Sequence, residues 1–157
     1  MSFNATAVCA KFAEGQFEIF AAGNETAVSA EIVLAVPSTA SPILENAVAG
    51  KVVVILRGAS TFGAKALQAQ AAWAVGAIIV NNDLGDPFTM AGDFSDVKIP
   101  VVMVPISIKA ALDASAGLHL TISVPGNQGL HDIVPHPART LSLAHATCTQ
   151  SHGCTKW

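Results

Sequence analysis

Short apolar runs separated by polar turns fill the first two-thirds of the chain, and their pattern predicts strands. Residues 16–22 alternate apolar and polar side chains, which is typical of a half-buried strand, and residues 31–36 form a more continuous apolar run. Residues 52–56 and 77–80 are apolar without interruption and rich in β-branched side chains. Such runs favour strands that are covered on both faces.

A helical pattern lies between the two uninterrupted runs. Four apolar residues recur there at spacings of four, three and four and therefore share one helical face: Phe62, Ala66, Ala69 and Trp73. Ser60 or Thr61 can cap this helix, and Gly76 ends it. The order strand, helix, strand predicts one βαβ unit with parallel strands and a right-handed crossover.

A long polar loop follows at residues 81–98, and loops of this length are commonly functional or mobile. It carries four acidic side chains: Asp83, Asp86, Asp93 and Asp96. Three further elements are predicted after it: a strand at 101–104, a short helix at 108–115 capped by Ser107 and closed by Gly117, and an alternating strand at 118–124.

The chain changes character after Pro125. Residues 126–157 contain four of the five histidines and few large apolar side chains, and they show no helical or strand period. We therefore predict one domain at residues 1–125 and a disordered tail at residues 126–157.

Composition narrows the class of protein. The chain of 157 residues is 52% hydrophobic and 12% charged, with a mean hydropathy of +0.52. No apolar run approaches the roughly 18 residues of a membrane-spanning helix, so we expect no membrane insertion by this chain. The net charge of −3 argues against nucleic-acid binding, which needs clustered cations. Residues 1–12 lack the basic start and apolar run of a signal peptide.

None of the motifs associated with catalysis is complete. The segment 58–65 (GASTFGAK) lies where a phosphate loop would lie, but Ala64 separates the second glycine from the lysine. Ser60 lies at a strand-to-helix turn like a hydrolase nucleophile, yet Phe62 replaces the second glycine of that motif, and the only histidine before the tail is His119. We therefore expect a non-enzyme without a cofactor, and a hydrolase that uses Ser60 is the weakest alternative.

Metal binding is not supported by the spacing of the possible ligands. The four aspartates fit no calcium loop. The tail offers four soft ligands whose spacing matches no zinc pattern: His145, Cys148, His152 and Cys154. Arg57 is one of few cations, and two roles are open for it: it pairs with the acidic loop, or it binds a ligand.

Two sequons and the cysteines bear on the compartment. Asn4 and Asn24 begin N-x-T sequons, which are usable only in a secretory compartment. The three cysteines cannot all pair within one chain, so at least one is free or pairs with another molecule.

Two ordered blocks of the sequence resemble the protease-associated (PA) domain family. Residues 50–82 (GKVVVILRGASTFGAKALQAQAAWAVGAIIVNN) contain its G-K strand, R-G turn, Ala- and Gln-rich helix with Phe and Lys, and strand ending in Asn-Asn. Residues 90–93 (MAGD) and 99–104 (IPVVMV) resemble its Gly-Asp loop and I-P-V strand. The resemblance extends from about residue 31 to residue 124.

The resemblance implies a mixed α/β (α+β) fold, in which a β-barrel or sandwich is flanked by short helices. It also implies a non-catalytic module in a secretory, endomembrane-lumenal or extracellular setting. In two positions where the family often has paired cysteines this chain has Ala40 and Ser60, which weakens the argument for an oxidising compartment, and Trp73 stands where the family usually has glycine.

We therefore predict a PA-like module that binds a peptide or protein ligand in substrate recognition or sorting. The alternative is a PA insertion fragment of a subtilisin-like protease or zinc aminopeptidase that regulates substrate access. The predicted ligand-binding residues lie in the R-G turn and in the polar loop: Arg57, Gly58, Ser60, Thr61, Asn82, Asp83 and Asp93.

Overall fold

A computed structural model of the chain describes residues 10–14, 16, 27–123 and 140–143. The strands of this part of the chain are β1 (Lys11–Phe12), β2 (Ala27–Leu34), β3 (Val52–Leu56), β4 (Gly76–Val80), β5 (Val101–Val104), β6 (His119–Ser123) and β7 (Thr140–Leu143). The helices are α1 (Phe62–Ala71), a 3-10 turn at Ile106–Ile108 and α2 (Lys109–Ala114). The strands form one sheet in the order β1-β5-β4-β3-β2-β6-β7.

The centre of the sheet is parallel. Strands β2, β3, β4 and β5 pair in parallel, whereas β1 and β6 are antiparallel to their neighbours β5 and β2. The predicted β3–α1–β4 unit is confirmed. Residues 35–51 and 81–100 make the other two parallel connections without a helix, which explains why both loops are long, since a parallel crossover needs a dozen or more residues.

Both faces of the central strands are buried, as the uninterrupted apolar runs predicted. On one face Val53, Ile55 and Ile79 pack with buried residues of α1 and of loop 81–100. On the other face their neighbours Val54 and Ile78 pack with residues of β6 and α2. Alternate side chains of one strand therefore serve two separate apolar clusters.

Strand β2 curls the sheet. Its first part, residues 27–31, pairs with β6, and its last part, residues 32–34, pairs with β3. Leu120 and Ile122 of β6 consequently pack in the same cluster as Ile78 of β4. A strand shared in this way folds one end of the sheet over the other, so the predicted barrel- or sandwich-like mixed α/β fold is confirmed.

The prediction that Trp73 shares the buried face of the helix was wrong. Helix α1 ends at Ala71, and the Trp73 side chain is 79% exposed. The N–H groups of Trp73 and Ala74 turn back to the carbonyls of Gln70 and Ala69 at 2.9 and 3.0 Å, which closes the helix. Gly76 therefore begins β4 and does not end the helix.

Two other boundaries differ from the sequence prediction. Strand β2 begins at Ala27, four residues before the predicted start at residue 31, because β6 pairs with its first part. The prediction that Ser107 caps the short helix was wrong, since Ser107 lies inside the 3-10 turn and, among the described residues, no side chain caps either that turn or α2.

Some predictions fall on other parts of the chain. The predicted strand at residues 16–22 lies outside the described residues apart from Gln16. Within the predicted tail, Thr140–Leu143 forms β7, parallel to β6, which the sequence did not predict. The rest of residues 126–157 lies outside the described residues, so the division into domain and tail stays a prediction. None of the described helices has the length and apolarity needed to cross a bilayer.

Candidate functional site

Arg57 is held by two neutral partners at the carboxyl ends of β3 and β4. The parallel register aligns Leu56 with Val80, so Arg57 and Asn81 follow side by side. The Arg57 Nη1 donates to Asn81 Oδ1 at 2.8 Å, and the guanidinium carbon lies 5.1 Å from the centre of the Phe88 ring. Arg57 thus contacts the polar loop through an amide and an aromatic ring, and no aspartate of the described residues forms an ion pair with it.

The R-G turn next to Arg57 is tight. Gly58 and Ala59 have positive φ angles of 118° and 65°, and the Ser60 N–H donates to the Gly58 carbonyl at 2.9 Å. A Cβ on Gly58 would lie 3.9 Å from the Asn82 amide nitrogen, so the predicted residues Gly58 and Asn82 are neighbours. The Ser60 Oγ is buried and makes no hydrogen bond within the described part of the chain.

An aromatic contact joins the R-G turn to helix α1. The rings of Phe88 and Phe62 meet edge to face, with centroids 6.0 Å apart and an interplanar angle of 66°. Arg57, Phe88 and Phe62 therefore form a continuous contact from the strand end to the first helical residue. This contact places the polar loop over the start of α1.

Of the two caps that the sequence predicted, Ser60 or Thr61, the structure has Thr61 as the N-cap of α1. Its Oγ1 accepts a hydrogen bond from the Ala64 N–H at 3.2 Å. The Thr61 hydroxyl therefore spends one acceptor position on capping the helix. Its predicted contact with a ligand depends on where the residue lies, at the edge of the groove described below.

Residues 91–98 of the polar loop lie along α1 from its first to its last turn. At the first turn, a Cβ on Gly63 would lie only 2.6 Å from the Asp93 carbonyl oxygen, so glycine is required for this approach. At the last turn, Gln70 donates to the Asp96 carbonyl at 2.9 Å and accepts from the Lys98 N–H. The loop is thus held to the helix by a close backbone approach at one end and by the Gln70 side chain at the other.

An open groove of about 600 Å³, here named the α1 groove, is lined by both the helix and this loop. Residues 61–64 and Leu67 form one wall, and residues 91–93 and Asp96 form the other. Leu67 is 40% exposed, which leaves apolar surface open in the groove.

The predicted ligand-binding residues divide between three places. Thr61 and Asp93 share the α1 groove, whereas Arg57, Gly58 and Asn82 form the adjoining corner at the strand ends. The backbone of Ser60 belongs to the R-G turn, and its hydroxyl is buried. Asp83 lies on an exposed turn that its own Oδ1 closes by accepting from the Gly85 N–H at 3.3 Å.

Asp93 is a carboxylate of the α1 groove whose pKa is shifted by hydrogen bonds from Ser95. Its Oδ1 accepts from the Ser95 hydroxyl at 2.7 Å and from the Ser95 N–H at 3.0 Å. These bonds favour the charged form and hold the pKa of Asp93 below its ordinary value. Asp93 is therefore ionised at neutral pH, and with Asp96 it gives one wall of the α1 groove a negative edge.

Lys65, the lysine of the segment 58–65, is buried, which the sequence did not predict. Its side chain is fully buried, and its Nζ donates to the Thr39 carbonyl, while burial lowers its pKa. Gln68, one turn later, donates to the Pro42 carbonyl at 2.8 Å, so both side chains fasten residues 37–42 to α1. The available signal was position, since Lys65 follows Phe62 by three residues and so falls on the predicted apolar face.

Other residues of the site were missed for different reasons. The parallel register would have pointed to Asn81, because it follows β4 where Arg57 follows β3. Phe88 and Leu67 gave no signal, because the fold of the polar loop decides what they contact.

Within the described residues, no three His, Cys, Asp or Glu side chains converge as metal ligands. Asn4 and Asn24 lie outside the described residues.

Comparisons with solved structures find bacterial aminopeptidases among the similar chains. The zinc aminopeptidase BSAP from Bacillus subtilis is 26% identical with a TM-score of 0.48, and the match covers 69% of this chain and 26% of that one. The aminopeptidase from Aneurinibacillus sp. strain AM-1 is 21% identical with a TM-score of 0.45, over 76% of this chain and 34% of that one. The chain thus spans about a quarter to a third of their lengths.

Comparison with curated protein sequences gives no match. The family comparison, in contrast, matches the PA domain over residues 10–112, which is well over half of the chain. The matched range includes the R-G turn, α1, the polar loop and β5. The chain therefore belongs to the PA domain family.

Proposed function

We propose that this chain is a non-catalytic PA module that binds a peptide or protein segment in the α1 groove. The observation that carries the proposal is the construction of that groove. It is open to solvent, its helix wall offers exposed apolar surface at Leu67, and its loop wall offers the carboxylates of Asp93 and Asp96. Apolar surface with a few fixed polar groups is the usual character of a binding site.

The two walls favour a particular ligand chemistry. An apolar side chain of the ligand would lie against Leu67 and the small residues Ala64 and Ala91. A lysine or arginine next to it would face Asp93, which is held in its charged form by Ser95. We therefore propose a ligand segment in which a basic residue adjoins an apolar one.

Arg57 acts in this proposal as a positioning residue. Its guanidinium lies over Phe88, whose ring packs on Phe62 at the mouth of the α1 groove. Removal of the guanidinium would loosen the polar loop without removing a group that touches the ligand. Its predicted contribution to binding is therefore smaller than that of Asp93.

The surroundings of Ser60 support a non-catalytic role. A serine nucleophile needs a general base within hydrogen-bond reach and an accessible oxygen. The Ser60 Oγ is buried and makes no hydrogen bond to any described residue. A hydrolase based on Ser60 therefore has no support in the site geometry.

We propose that the module belongs to a larger protease, where it recognises substrate segments or regulates their access to a catalytic domain. Membership of the PA family supports this role. In this proposal the module works in a secretory, endomembrane-lumenal or extracellular compartment, where the sequons at Asn4 and Asn24 would be glycosylated. Mass spectrometry of the chain from a secreting host tests the glycosylation directly.

The binding proposal is tested with an array of octapeptides. Each peptide has Leu or Phe at its centre, flanked by Lys or Arg, by Asp or Glu, or by Ser. We expect peptides with basic flanks to bind, and the Asp93→Asn, Asp96→Asn double variant to weaken their binding by about tenfold or more. Titration calorimetry on the strongest peptides gives the dissociation constants.

The matched control is Asp86→Asn. Asp86 is an exposed aspartate of the same polar loop but does not line the α1 groove. This variant should bind as the unmodified chain does. Basic-flanked peptides that bind no better than serine-flanked ones, or equal weakening of their binding by Asp86→Asn and by the double variant, would contradict the proposed site.

A further inference from the structure

A second open groove lies at the opposite end of α1. It has a volume of about 540 Å³ and is here named the Trp73 groove. Its walls meet at the amino ends of the parallel strands and come from four places: residues 28–30 of β2, Gly50 before β3, Gln70 and residues 73–75 at the end of α1, and residues 98–100 before β5. Neither the predicted site nor the α1 groove includes these residues.

Trp73 has an unusual backbone conformation for a tryptophan. Its φ is 64°, and it occupies the position after the helix cap where the chain turns back on the last turn of α1. The Ala74 N–H bonds to the Ala69 carbonyl and the Trp73 N–H to the Gln70 carbonyl, a pattern that normally places glycine at this position. A bulky side chain in the left-handed region is strained.

The Trp73 side chain contributes little to the stability of the fold. The Trp73 side chain is 79% exposed, whereas a tryptophan that stabilised the core would be mostly buried. Its backbone carbonyl accepts from the Gly50 N–H at 2.8 Å, a bond that glycine at position 73 would make equally well. Because Trp73 is strained and exposed at the rim of a groove, contact with another molecule explains its presence better than a contribution to folding does.

The charge of the Trp73 groove is positive. Among the described residues that line it, Lys98 is the only charged one. Its Nζ donates to the Ser95 carbonyl at 2.7 Å, a neutral partner. Lys51, next to Gly50, is neutralised by Glu31 at 2.8 Å. The apolar walls therefore carry one uncompensated cation, the opposite of the α1 groove with its two carboxylates.

We propose that the Trp73 groove is a docking surface for a segment of a partner protein in which an aromatic or aliphatic side chain adjoins a carboxylate. The apolar side chain packs between Trp73 and Pro100, and the carboxylate faces the Lys98 ammonium. Complementary charge selects this class of segment against the basic segments proposed for the α1 groove. The two grooves thus give one module two binding surfaces of opposite preference.

The same octapeptide array tests this surface with different variants. Peptides with acidic flanks are expected to bind the unmodified chain, and Trp73→Ala and Lys98→Gln are each expected to weaken that binding by about tenfold. Trp73→Gly distinguishes a docking role from a structural one, because it should lose binding while raising the melting temperature. A residue retained for folding would lower the melting temperature on replacement.

Leu84→Ser is the matched control, because Leu84 is 95% exposed on the polar loop and lines neither groove. It should leave the binding of acidic peptides unchanged. The proposal is overturned if acidic peptides bind no better than serine-flanked ones, or if Trp73→Ala binds them as tightly as the unmodified chain. Failure of the α1 groove proposal would appear separately, as loss of the response to Asp93→Asn and Asp96→Asn with basic peptides.

Discussion

Replacement of Gly63 by alanine tests how closely the polar loop approaches helix α1. Gly63 is buried in the first turn of the helix, and a Cβ there would lie 2.6 Å from the Asp93 carbonyl oxygen. Contacts of a Cβ below 3.0 Å essentially do not occur, so the backbone of residues 91–93 must move. The Asp93 carbonyl is a backbone atom and cannot give way by a side-chain rotation.

Two opposing effects set the magnitude of this change. Alanine stabilises a helix interior by about 1 kcal/mol relative to glycine. Forcing an extra methyl group into a packed contact costs about 1–3 kcal/mol, and a backbone contact belongs to the upper part of that range. We therefore expect Gly63→Ala to lower the free energy of unfolding by about 1–2 kcal/mol.

Urea unfolding followed by circular dichroism measures this free energy. Gly85→Ala is the control, because a Cβ on Gly85 has no atom within 4 Å and its φ is not in the left-handed region. The control should change stability by less than about 0.5 kcal/mol. A stabilised Gly63→Ala variant would refute the reasoning, because it would show that the loop does not contact the helix and that the α1 groove has a different second wall.

Three further substitutions test separate physical arguments. Burial lowers the pKa of Lys65, so the unfolded chain binds more protons than the folded chain between the lowered pKa and the ordinary lysine pKa. Stability should therefore rise with pH in that window, and Lys65→Met should remove the rise, as urea unfolding at several pH values shows. Trp73→Gly should raise the free energy of unfolding by about 0.5–1 kcal/mol in thermal denaturation, because relief of the left-handed strain exceeds the added entropy of the unfolded chain. Ser95→Ala removes the hydroxyl that donates to Asp93, so carboxyl NMR titration should show the pKa of Asp93 rising toward its ordinary value.

The central strands could be predicted from the sequence because their burial is nearly uniform. Residues 52–56 and 77–80 are apolar throughout, and both sides of the sheet are covered. The sequence also placed the start of α1 to within one residue, because Ser60 and Thr61 both precede the apolar stripe and both can cap a helix; the structure has Thr61 as the cap. Local pattern was sufficient wherever local contacts decide the structure.

Other boundaries depend on contacts that are distant in sequence. The first residues of β2 form a strand because β6, about ninety residues later, pairs with them. Trp73 fits the apolar stripe of α1, but the helix ends before it because the chain turns back to reach Gly50 and β4. Neither contact leaves a signal within the local sequence window.

The candidate site shows the same division. The closeness of Arg57 and Asn81 follows from the register of two adjacent parallel strands, so it was open to prediction. The meeting of Thr61 and Asp93 in the α1 groove was not, because it requires the close backbone approach at Gly63 and the two bonds of Gln70. Loop conformation fixed by backbone contacts is what sequence pattern describes least well.

The central claim is that a peptide segment binds between α1 and the polar loop, and NMR tests it most directly. The backbone amide shifts of the isotope-labelled chain are recorded while the strongest basic-flanked octapeptide of the array is added. The account predicts that the largest shift changes fall at residues 61–67 and 91–96. Changes centred on other residues, such as the Trp73 groove, or no change at a concentration where calorimetry shows binding, would contradict it.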